Sequence, residues 1–77
     1  MNIEKYNLVF SRVLNISIGE LPGLCFKSIR LWDSIGHMGL VAAIEEEFDI
    51  SLEPEDIIAF QSYEKGIAIL EKYGVKF

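Results

Sequence analysis

The chain has few of the residues from which catalytic and metal sites are commonly built. It holds one cysteine, Cys25, and one histidine, His37. A lone Cys25 excludes an internal disulfide and any Cys-x-x-Cys pair, and one His beside one Cys does not make a metal site. Basic charge is also scarce: 7 Lys and Arg stand against 12 Asp and Glu, a net charge of −5. Nucleic-acid binders usually show the reverse balance, so DNA and RNA are excluded as expected partners. No apolar run approaches the length of a membrane span, and Met1-Asn2-Ile3-Glu4-Lys5 does not read as a signal peptide. The expectation is a cytoplasmic protein with no stable membrane insertion. No repeat, low-complexity segment or linker interrupts the chain. Its 77 residues read as one domain, 1–77. A core of that size contributes only about 3–5 kcal/mol of net stability.

What is present is apolar and helically spaced. Hydrophobic residues make up 51% of the chain, enough for a compact core with apolar surface left over. Ile3, Tyr6, Phe10, Val13 and Leu14 fall near one face of a helix over 3–15. Gly19, Pro22 and Gly23 then signal a long connection over 16–33. Leu21, Leu24, Phe26, Ile29 and Leu31 are expected to lay it against the helices, with Trp32 as its anchor. A second helix is expected over 34–48, with Leu40, Val41, Ile44 and Phe48 on its core side. Pro54 is well placed in the first turn of a short third helix. Ser62 is a natural N-cap for a last helix over 63–73, with Tyr63, Ile67, Leu70 and Tyr73 as its buried stripe and Gly74 ending it.

The second helix carries the functional signal. Asp33 and Ser34 both have side-chain oxygens suited to capping its first turn. Ser34 is expected to be exposed there, at the positive end of the helix dipole, where a phosphate ester would meet free N–H donors. Asp33-Ser34-Ile35, followed by a helix ending Glu45-Glu46-Glu47-Phe48-Asp49-Ile50, resembles the acyl carrier protein family. The resemblance runs from Leu31 to Tyr73. It implies an all-α four-helix bundle with a long loop between the first and second helices and a short third helix. It also implies that Ser34 is the attachment point for 4′-phosphopantetheine, derived from coenzyme A, whose thiol holds an acyl group as a thioester. Asp33 would belong to the surface read by the phosphopantetheinyl transferase. The protein would be a non-catalytic, monomeric carrier that works with acyl-loading and acyl-transferring enzymes.

Other residues around Ser34 admit several roles. Asp33, Ser34 and His37 lie on one short segment whose successive residues diverge by about 100°, so they make a poor nucleophilic relay. His37 is expected as a partly exposed neighbour of the prosthetic arm or of a partner. Ile35 and Met38 are candidate partner contacts, Ala42 is a candidate neighbour of the arm, and Met38 has core packing as its alternative. Gly36 and Gly39 each cost a helix about 1 kcal/mol; they read as a flat patch for a partner's approach. Fatty-acid carriers tend to have acidic residues at these two positions, which points to a specialised lipid, surface-polysaccharide or secondary-metabolite pathway. Glu45, Glu46 and Glu47, with Glu53, Glu55 and Asp56, could dock on a basic partner surface or simply form a solvated face. Cys25 reads as a small, partly buried loop residue. Two other functions fit the same residues: an aminoacyl or peptidyl carrier, and a small helical adaptor in which Ser34 is only a cap.

Overall fold

A computed structural model describes residues 1–77 as an all-α bundle of four helices. Helix α1 spans Asn2–Leu14, α2 Ser34–Phe48, α3 Pro54–Ala59 and α4 Tyr63–Lys72. No strand is present; Cys25 and Ser62 form one isolated antiparallel bridge. There the Phe26 N–H donates to the Gln61 carbonyl at 2.8 Å and the Tyr63 N–H to the Leu24 carbonyl at 2.9 Å. This bridge fastens the long loop to the entry of α4. No helix is long and apolar enough to cross a membrane.

Local chemistry explains the boundaries. α1 stops one residue short of the expected end because Asn15 turns left-handed, with φ 54°. Asn and Asp tolerate that region better than other non-glycine residues, and Asp49 ends α2 the same way at φ 53°. Pro54 occupies the start of α3, where its missing N–H costs no helical bond. Ser62 caps α4 by accepting the Lys65 N–H at 2.9 Å.

The core is built from Tyr6, Val9, Phe10 and Leu14 of α1, Leu40, Val41 and Ile44 of α2, and Phe60, Ile69 and Leu70 beyond. The loop contributes Leu21, Leu24 and Trp32, and just before Leu21 lies a 3-10 turn over Ile18–Glu20 that loop composition alone did not indicate. Trp32 is wholly buried, with its ring edge-on to Phe10 at 5.5 Å and Phe26 at 6.4 Å. Gly66 lets α4 approach so closely that a Cβ there would overlap the Tyr6 hydroxyl and the Phe60 ring. The Tyr6 hydroxyl is satisfied by donating to the Tyr63 carbonyl at 2.7 Å.

Several expectations need correction. Leu31 turns outward, because burial of the neighbouring Trp32 leaves it on the other side of the loop. Cys25 is exposed, since its backbone serves the bridge to Ser62 and its thiol faces only the Gly23 carbonyl. Phe48 is half-buried, packed against Phe77 at the rim. On α4 Leu70 is buried as expected and Ile69 joins it, while Tyr63, Ile67 and Tyr73 are only half-buried.

Candidate functional site

The start of α2 is shaped by Asp33, which does the capping and leaves Ser34 free of that task. Asp33 is extended, at φ −104° and ψ −167°. Its Oδ1 accepts the Gly36 N–H at 2.8 Å, and its carbonyl accepts the His37 N–H at 2.8 Å. Ser34 is the first helical residue and is exposed. The N–H groups of Ser34 and Ile35 have no carbonyl one turn earlier to bind, as at any helix start. An exposed hydroxyl therefore stands beside backbone donors and at the positive pole of a 15-residue helix. That is a place for an anionic ester.

It is not a place for nucleophilic catalysis by this chain. Both ring nitrogens of His37 are already engaged: Nδ1 accepts the Trp32 indole N–H at 3.0 Å, and Nε2 lies 2.8 Å from the Ile57 carbonyl oxygen. No imidazole is available to take a proton from Ser34.

The residues expected to face partners divide into two groups. Ile35 and Met38 project into solvent, 84% and 56% exposed. Gly39 is exposed with open space where a Cβ would stand, Ala42 is exposed, and Glu46 and Glu47 point outward. Between Ser34 and Ile44 no side chain of α2 carries a fixed charge. The other group turns inward, against expectation. His37 is buried at 7% exposure because it lies on the same helical face as Leu40, Val41 and Ile44. Gly36 is no open patch: the Leu31 carbonyl occupies the space a Cβ would need, so the glycine is there to let the loop pass. Glu45 bends back to accept the Leu52 N–H at 2.7 Å and holds the turn into α3.

Asp56 also leaves the proposed acidic docking group. It is buried, accepting from Lys72 Nζ at 2.7 Å and from the Tyr73 hydroxyl at 2.6 Å. These bonds, that from Lys72 first, hold its carboxyl below the usual range and raise the Lys72 ammonium and the Tyr73 hydroxyl. A lowered carboxylate stabilises the fold above its unfolded-state value, and the contribution is lost as pH falls through the folded value. Asp56→Asn is therefore expected to melt below wild type at pH 6, with the gap narrowing once pH drops below about 4. Paired thermal melts across that range check this.

A cleft of about 190 Å³ lies in this region, between α3 and α4, lined by Asp56, Ala59, Lys65, Ala68, Ile69 and Lys72. On the side of α2 turned to its neighbours, Leu40, Val41 and Ile44 belong to the buried core.

Among known proteins, the chain is similar to an acyl carrier protein of Buchnera aphidicola subsp. Schizaphis graminum. The two are 35% identical over 68 residues, an alignment covering 86% of each. No family model matches the chain, and no solved structure matches it.

Proposed function

The chain belongs to the acyl carrier protein family, and from that premise we propose that Ser34 is the residue on which it carries its cargo. Members of this family are carriers and not catalysts, and they work with partner enzymes. In our reading a separate transferase joins the Ser34 oxygen to the phosphopantetheine phosphorus of coenzyme A, breaking its pyrophosphate bond; adenosine 3′,5′-bisphosphate leaves and a base of the transferase takes the hydroxyl proton. Once attached, the arm supplies a thiol that holds an acyl group as a thioester. The chain's own residues do the rest. Asp33 fixes the first turn, so Ser34 is displayed at a constant position. The free N–H groups of that turn and the helix dipole favour the negative phosphodiester. The single observation that carries the reading is an exposed serine in the first position of α2, relieved of capping by Asp33.

The uncharged outer face of α2 supports a narrower part of the proposal. A partner that approaches Ser34 meets Ile35, Met38, Gly39 and Ala42, with the exposed acids Glu46 and Glu47 at the far end of the helix. Such a face suits enzymes of a specialised acyl-transfer pathway that read apolar contacts near the serine.

The test is a mass measurement. Incubation with coenzyme A and a promiscuous phosphopantetheinyl transferase is expected to add one phosphopantetheine to the wild type and none to Ser34→Ala. An unmodified wild type would favour a helical adaptor without a prosthetic group.

A further inference from the structure

The only histidine of the chain lies one turn after Ser34, and its ring is sealed in the interior. Its two hydrogen bonds determine its protonation. The indole N–H of Trp32 can only donate, so the facing Nδ1 must be an acceptor and carries no proton. The Ile57 carbonyl can only accept, so Nε2 must carry the proton. The imidazole is neutral and held in one tautomer. Its surroundings are aromatic: Trp32 stacked at 6.2 Å, with Phe26 at 5.4 Å and Phe60 at 6.0 Å, both edge-on.

Those two bonds join three separate elements: the long loop at Trp32, the first turn of α2, and α3 at Ile57. Each carries an exposed apolar side chain next to the pinned atoms. Leu31 precedes Trp32, Ile35 and Met38 flank His37, and Ile58 follows Ile57; Ile58 is 73% exposed. α3 has six residues, too few to hold its place without tertiary contacts.

We propose that His37 is a positioning residue for the attachment site: its neutral, Nε2-protonated ring locks loop, α2 and α3 together, so that Leu31, Ile35, Met38 and Ile58 stand as one preformed apolar surface beside Ser34. This rests on Ser34 being the attachment residue. The occupant is the enzyme that acts on Ser34, presenting an apolar rim around its active-site mouth. Without the lock, that enzyme must order the loop and α3 as it binds, which weakens binding and leaves the chemistry at the hydroxyl alone.

Two measurements test the proposal. In protein labelled with 15N-histidine, long-range 1H–15N spectra at neutral pH are expected to show a neutral ring with the proton on Nε2. Transfer kinetics with coenzyme A and a promiscuous transferase are then compared for wild type, His37→Gln and His37→Leu, with folding checked by circular dichroism. Gln can accept from the indole through Oε1 and donate to Ile57 through Nε2. His37→Gln should keep the wild-type KM within about threefold, while His37→Leu raises it about tenfold with kcat little changed, the scale of one or two lost hydrogen bonds. If His37→Leu does not fold, Trp32→Phe, which keeps an aromatic ring and removes the N–H, is expected to raise KM. A proton on Nδ1, or a folded variant lacking these bonds with a wild-type KM, overturns the proposal. A wild type that the transferase leaves unmodified defeats the attachment reading and the positioning role with it; the NMR spectrum still reports on the lock itself.

Discussion

Trp32→Ala is expected to leave the chain largely unfolded at 25 °C. Trp32 is fully buried and touches the first helix through Phe10. Truncating a buried aromatic to alanine costs about 3–5 kcal/mol in lost transfer energy and residual cavity. The substitution also strips the indole N–H from His37 and leaves a buried ring nitrogen without its donor, a further cost of about 1–3 kcal/mol. A domain of this size has only about 3–5 kcal/mol in total. Circular dichroism at 222 nm with a urea titration reads the outcome. Persistence of a cooperative transition at a midpoint near that of wild type would show that Trp32 does not anchor the loop.

Gly36→Ala is the second large effect, and Gly39→Ala is its control. Both glycines lie inside α2, and intrinsic propensity alone favours alanine at each by about 1 kcal/mol. Their surroundings decide otherwise at one of them. A Cβ on Gly36 overlaps the Leu31 carbonyl, which is backbone and is held by burial of the adjacent Trp32. Overpacking of this kind costs about 1–3 kcal/mol, enough to cancel the propensity gain and more. A Cβ on Gly39 meets nothing within 4 Å, so that variant should gain close to the full propensity difference. Urea midpoints are expected to move in opposite directions, down for Gly36→Ala and up for Gly39→Ala. The Gly36 variant should also be modified more slowly at Ser34, because relief of the overlap displaces the loop and the turn together. Equal midpoints for the two variants would contradict the account of Gly36.

The elements that were legible in the chain are those set by local rules. Asp33, Pro54 and Ser62 each mark a helix start by capping chemistry or by a missing N–H, and α2, α3 and α4 begin where those residues place them. Leu40, Val41 and Ile44 repeat at helical spacing and are buried. What could not be read from local pattern depended on partners distant in sequence or on backbone proximity. His37 shares the spacing of the core face, which was a usable signal, but its polarity argued for the surface. Its burial becomes affordable only because a donor-only indole and a carbonyl 20 residues away satisfy both nitrogens. Asp56 read as part of an acidic group, yet Lys72 and Tyr73, 16 and 17 residues later, draw it inward. Gly36 read as half of a flat patch for a partner, whereas the loop carbonyl above it leaves no room for a side chain.

The most direct measurement for the central claim is the intact mass of this protein purified from cells that express it naturally, followed by fragmentation of the peptide containing Ser34. A population heavier by one phosphopantetheine is expected, with the added group released from the Ser34 peptide and from no other. A native protein of unmodified mass, or the group located on any residue other than Ser34, would contradict it.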